Sequence, residues 1–173
     1  MKALKKYLPL LVSVIAIVAL AAACRVQYSF IGTSIQADVN SITINFFEYT
    51  APKVNPNLSN DMTEAIRTQF RKMTRLEQVD MDGDLEISGT ITGYDISASA
   101  VTAGEVAAQN RLTITINIEF TNRKHSEDDF TKSFSGYADY DSMQSLDAVE
   151  STLCQEIIDK LVDDVFNATV ANW

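Results

Sequence analysis

Apolar and polar residues alternate most regularly between Arg111 and Thr121. Leu112, Ile114, Ile116, Ile118 and Phe120 take every second position, and Thr113, Thr115, Asn117, Glu119 and Thr121 fill the gaps. Side chains alternate across a strand, so this stretch predicts one long central strand, apolar on one face and hydrogen-bonding on the other. Burying its five large apolar side chains contributes at most roughly 1.5–3 kcal/mol each. Ile42, Ile44 and Phe46 predict a second strand. Leu85, Ile87 and Ile91 predict a third, with Gly89 and Gly93 on its apolar face, where a helix packs closely or a bulge sits. Phe130 and Phe134 begin a fourth, which fades through Gly136, Tyr137 and Tyr140.

Helical spacing takes over in two places. Met62, Ile66, Phe70 and Met73 form an apolar stripe running to about Thr74. Ser59, Asn60 and Asp61 offer N-caps to it, with Glu64 three residues after Asp61. From Ser145 to about Ala171, Val149, Leu153, Ile157, Leu161 and Val165 mark a second buried face, widened by Ile158, Val162 and Phe166. Pro52 and Pro56 make Ala51–Asn57 a loop, Ser97–Gln109 reads as a small-residue loop, and Asn122–Asp129 as a charged hairpin connection. Asp80–Asp84 reads as an Asp-Gly turn, because Gly83 and Ile91 fall where a calcium loop needs other residues. The order is strand, helix, three meandering strands, helix. It predicts an α+β two-layer sandwich: a mixed sheet of about four strands with two α-helices on one face. The second face is then rich in Thr, Ser and Asn.

The N-terminus reads as a processing signal. Lys2, Lys5 and Lys6 precede an apolar run, Leu8–Leu20, and Ala21-Ala22-Ala23 stands before Cys24. A membrane span needs about 20 apolar residues, and this run is shorter and broken by Pro9 and Ser13. Small residues directly before a Cys resemble a lipobox, with Leu20 one place further from the Cys than usual. The chain therefore divides into a lipoprotein signal peptide (1–23), an acylated tether or edge strand (24–40) and a single domain (41–173). Acyl chains on Cys24 hold the protein on a membrane. Arg25 follows the Cys where an inner-membrane retention signal has Asp, and no acid occurs before Asp38. Both point to the periplasmic face of the outer membrane.

Charge narrows the partners. The chain carries −9, and losing three lysines with residues 1–23 leaves −12 on the remaining 150 residues. Such acidity disfavours nucleic acid. One histidine, His125, excludes a His-based metal cluster, and no cofactor motif appears. Cys154 sits beside the second helical stripe as a packed, unpaired thiol. No nucleophile elbow, phosphate loop or metalloprotease motif is present, so the chain does not read as an enzyme. Arg67, Arg71 and Arg75 recur every fourth residue with Lys72 beside them. A solvated face near a helix C-terminus accounts for them, and a phosphate or acidic-partner contact is the functional alternative. Asp141-Ser142-Met143 resembles a short periplasmic O-glycosylation signal, and a turn explains it equally.

The lipobox, Tyr28-Ser29-Phe30-Ile31-Gly32, Asn110-Arg111-Leu112-Thr113-Ile114, Phe134-Ser135-Gly136-Tyr137 and the ending Val165-Phe166-Asn167 to Val170-Ala171-Asn172-Trp173 resemble the LptE family of lipopolysaccharide-assembly lipoproteins. The resemblance spans nearly all of the mature chain. It implies a non-enzymatic outer-membrane lipoprotein that plugs the β-barrel LptD and supports lipopolysaccharide transport. In that family, contact with lipid A phosphates is placed on basic residues near one end of the sheet. Ser97–Gln109 has none, which leaves Arg67, Arg71, Arg75 and Arg111 as candidate lipopolysaccharide or barrel contacts. Two other classes are a periplasmic amphiphile-binding lipoprotein, which requires a continuous apolar cavity, and a hydrolase, which requires two close carboxylates in a pocket.

Overall fold

A computed structural model describes residues 35–99 and 109–170. The signal peptide, Cys24 and Tyr28–Gly32 lie outside the described residues. The elements in order are β1 (Ser41–Ile44), β2 (Glu48–Tyr49), α1 (Leu58–Met73), β3 (Glu77–Gln78), β4 (Leu85–Ser99), β5 (Gln109–Asn122), β6 (Phe130–Asp141) and α2 (Leu146–Thr169). The α+β class and mixed sheet expected from sequence are present. The sheet order is β3-β1-β4-β5-β6, with β2 also on β4, so among the described residues it has six strands, the four expected and two short additional ones. The two extra strands are two residues long, too short to carry a hydrophobic period. β1 runs parallel to β3 and β4, β2 runs parallel to β4, and β4, β5 and β6 form an antiparallel meander.

The regular stretch is β5, and Leu112, Ile114, Ile116, Ile118 and Phe120 are all buried. Both helices lie against that face. Leu58, Met62, Ile66 and Phe70 of α1 join the core at spacings of four, whereas Met73, expected in the stripe, is exposed. The Phe70 and Phe166 rings meet edge-on at 5.2 Å and join the helices. α2 packs close over β6 because Gly136 has no side chain. A β-carbon there would lie 3.0 Å from Ile157 and 3.2 Å from Leu161.

Four local expectations are corrected. Asn57 rather than Ser59, Asn60 or Asp61 is the N-cap of α1, which begins in the turn after Pro56 and keeps Asp61 in its first turn, where its charge suits the helix dipole. The segment from Ser97, where a loop is expected, is strand through Ser99, and strand resumes at Gln109. Ser97, Ala98 and Ser99 pair with Arg111, Asn110 and Gln109. β6 does not fade, because Phe134, Gly136, Ala138 and Tyr140 keep every second position buried to its end. Gly93 leaves the apolar face, because Thr92 bulges out of register and Tyr94 becomes the next inward residue.

Gly89 does stay on the apolar face, and the reason is tertiary. β1 and β2 are separated by Asn45–Phe47, and the Phe47 ring turns inward over Gly89. A β-carbon at Gly89 would lie 2.2 Å from that ring. The Phe47 amide donates to Thr63 Oγ1 at 3.1 Å, and the Thr63 hydroxyl donates to the Ser59 carbonyl at 2.6 Å, tying the break to α1.

Candidate functional site: the open face of the sheet

The three long strands place their remaining side chains on the face opposite the helices, and the register sorts them into cross-strand rows. From one end these are Ser88–Glu119–Thr131, Thr90–Asn117–Ser133, Gly93–Thr115–Ser135, Asp95–Thr113–Tyr137 and Ser97–Arg111–Asp139. All are half-buried or exposed. The two rows containing Asn117 and Thr115 carry no charge. Thr115 and Ser135 share a hydrogen bond at 3.2 Å, and Ser133 Oγ donates to the Ile116 carbonyl at 3.2 Å. Beyond Ser88, Asn45 donates to Glu86 at 2.9 Å and to Ser88 at 3.0 Å. Thr43, 3 % exposed, is the buried hydroxyl of this face. It accepts the Gly83 amide at 3.0 Å, which fixes the Asp-Gly turn where Asp82 adopts φ 59°.

Charge flanks the two uncharged rows on both sides, with Glu119 before them and Asp95, Arg111 and Asp139 after them. At one end of the face Arg123 donates to Asp82 and Glu86, each at 2.7 Å, and holds the Glu86 carboxyl below its usual range. At the other, Arg111 Nε and Nη2 fork onto Asp139 at 2.7 and 2.8 Å and hold its carboxyl low. The same guanidinium lies 3.8 Å over the Tyr137 ring. Arg111 is therefore matched within its own sheet rather than open to an anion.

The other expected arginines lie elsewhere. Arg67, Arg71, Leu76, Gln78 and Phe46 line a groove of about 580 Å³ between α1 and the β1–β3 edge. Arg67 donates to the Ile44 carbonyl and to Glu64, both at 2.9 Å, so it caps strand β1 beyond the end of β3. Arg71 donates to Gln78 at 3.3 Å, and Arg75 is exposed. The arginine repeat is thus an edge cap followed by a solvated end.

Cys154 is buried, and burial pushes its thiol up to about 11. Asn55 reaches both Cys154 Sγ, at 3.8 Å, and Glu150, which also accepts the Tyr94 hydroxyl. Ser142 is exposed in the turn before α2, where the Met143 amide donates to Asp141 at 2.8 Å. No group of three or more His, Cys, Asp or Glu side chains is placed to hold a metal among the described residues, and none of their helices is long and apolar enough to cross a membrane.

The rows themselves could not be read from the chain, because they depend on register and on the bulge at Thr92. Tyr137 was missed as an outward residue for the same reason. The only signal was the even spacing of Phe134, Gly136, Ala138 and Tyr140, which leaves odd positions facing out.

Taken together, these features define a two-layer α+β domain with one packed sheet face and one open, hydroxyl- and amide-bearing face. Residues 39–169 match the LptE family, described as lipopolysaccharide-assembly, and the chain belongs to that family. That family is one of outer-membrane lipoproteins involved in lipopolysaccharide assembly. No curated protein matches the chain. Among solved structures it is similar to the hypothetical protein CT253 from Chlamydia trachomatis, with 8% identity, 78% of this chain and 99% of that one covered, and a TM-score of 0.52. It is also similar to a minor lipoprotein from Acinetobacter baumannii, with 11% identity, 72% and 88% covered, and a TM-score of 0.47. An uncharacterized lipoprotein B from Nitrosomonas europaea gives 12% identity, 73% and 79% covered, and a TM-score of 0.45. At these identities the likeness concerns fold alone.

Proposed function

We propose that the protein is a lipoprotein acylated at Cys24 which sits in the outer membrane, plugs the LptD barrel and supports lipopolysaccharide delivery without catalysing a reaction. The observation that carries this reading is the open sheet face, two adjacent rows of which carry hydroxyls and an amide without charge. A barrel lumen is polar, and such a face exchanges water for hydrogen bonds there without exposing apolar area beforehand. Membership of a lipopolysaccharide-assembly family supports the same reading. Purification of the acylated protein from outer membranes is expected to recover a large barrel. Recovery of the lipoprotein alone, with lipopolysaccharide export normal after depletion, refutes the proposal.

The basic residues divide into two kinds under this reading. Arg67 and Arg111 hold parts of the fold, through Ile44 and Asp139. Arg71 and Arg75 are the better candidates for lipopolysaccharide phosphate. Arg71→Glu with Arg75→Glu is expected to leave the melting temperature within about 2 °C, since exposed substitutions change stability by about 0.5 kcal/mol or less. The same pair is expected to weaken lipopolysaccharide binding. Unchanged binding makes them ordinary solvated surface. Arg67→Glu, by contrast, is expected to destabilise the domain by about 1–3 kcal/mol, because it leaves the Ile44 carbonyl without its donor.

A further inference from the structure

We infer that Tyr137, braced by Arg111, is the anchor through which the open sheet face docks onto the polar inner wall of the partner barrel. The inference rests on the barrel-binding reading and names the residue on which that binding turns.

Tyr137 is the large aromatic side chain of this face, 49% exposed, with Thr113, Thr115 and Ser135 on one side and Asp95, Arg111 and Asp139 on the other. The other large exposed apolar residues lie off it: Phe46, Val54, Met81 and Met143 in connections, and Met73 on α1. The ring is already held. Arg111 stacks on it at 3.8 Å, and Arg111 is itself fixed by two bonds to Asp139. From the edge, Lys160 donates to the Tyr137 carbonyl at 3.1 Å. A pre-positioned Tyr loses little side-chain freedom on binding, and Tyr and Arg dominate the few residues that carry most interface energy.

Local charge selects the occupant. The two cations near the ring are both matched, Arg111 by Asp139 and Lys160 by Glu156 at 2.8 Å, and Asp95 stands in the same row as Tyr137. A phosphate arriving here meets no unmatched cation and three carboxylates, Asp139, Glu156 and Asp95, which rules against a lipid headgroup at this spot. A neutral wall of hydroxyls and amides meets a ring face, a phenolic hydroxyl and the adjoining uncharged rows, all able to pair with it.

The test uses the full-length acylated protein co-expressed with its barrel partner. Tyr137→Ala is expected to reduce the barrel recovered at least tenfold and Tyr137→Phe, which keeps the ring and loses only the hydroxyl, by about two- to threefold, while Gln144→Ala, exposed in the turn before α2 and off this face, leaves it at the wild-type level. Arg111→Ala is expected to fall between, because the ring remains but loses its brace. A photo-crosslinking phenylalanine analogue at position 137, which keeps an aromatic ring, is expected to form an adduct with the barrel, and the same group at position 142 is not. Undiminished recovery with Tyr137→Ala, or an adduct at 137 with lipopolysaccharide instead of the barrel, overturns the inference and leaves the barrel-binding reading standing. Absence of barrel with the wild-type protein overturns that reading instead.

Discussion

Gly89 and Phe47 show how a single missing side chain shapes this domain. The Phe47 ring fills the space above Gly89, between β1 and β2, and is fully buried there. A methyl group at position 89 would lie inside the ring's van der Waals surface. Gly89→Ala is therefore expected to destabilise the domain by about 1–3 kcal/mol, the usual cost of overpacking, read as a lower urea midpoint with an unchanged slope. An unchanged midpoint would mean that Phe47 has room to move aside. Glycine in an apolar strand position signals close approach or a bulge. Only the fold distinguishes the two: Gly89 receives a ring, whereas Gly93 follows a bulge onto the other face.

β5 carries the architecture at the level of elements. It lies between β4 and β6, with its apolar residues under the helices and its polar residues in the open rows. Two neighbouring substitutions separate these roles. Ile116→Ala is expected to cost about 2–5 kcal/mol, from lost burial and the cavity left behind. Asn117→Ala, one residue on and on the opposite face, is expected to stay within about 0.5 kcal/mol. Equal losses at both positions, by denaturant unfolding, would mean that the second face is packed rather than open. The alternation at 111–121 made β5 legible because a one-sided strand has a two-residue period. β2 and β3 had no such period to show. They exist because Phe47 and Leu76 bury themselves beside β4 and β1 and bring two residues each within hydrogen-bonding reach.

Residues 36–40, ahead of β1, are pinned to the β5–β6 connection and to the turn before β4, contacts between segments far apart along the chain. His125 Nε2 meets both carboxylate oxygens of Asp38 at 3.1 and 3.2 Å, Gln36 donates to Asp128 at 2.8 Å, and the Asn40 amide donates to Asp84 at 2.9 Å. Lys124 stands 3.5 Å from Asp84, and Glu127 stands 3.7 Å from the other His125 nitrogen. Asp38 raises His125 above 6.5, and His125 lowers Asp38 below 3.8. Stabilisation from a raised histidine is complete below its unfolded pKa and fades as pH rises through the folded one. Stabilisation from a lowered carboxylate is lost as pH falls through its folded pKa. The melting-temperature difference between wild type and His125→Gln is therefore expected to be largest between the ordinary Asp and His values and to fade as pH rises through the raised value of His125. A difference that persists at high pH would assign the contact to hydrogen bonding independent of charge.

The chain by itself determined the class of fold, because burial on one side of a strand and one stripe of a helix imposes periods that survive in the order of residues. It likewise determined that a second face would be polar, since the gaps between apolar positions are filled by Thr, Ser and Asn. Which arginines stand free was decided only in three dimensions. Arg111 and Arg67 are matched by Asp139 and by the Ile44 carbonyl, partners 28 and 23 residues away along the chain. The rows of the open face were decided there too, because cross-strand neighbours are set by register, and one extra residue at Thr92 exchanges the faces of every side chain beyond it.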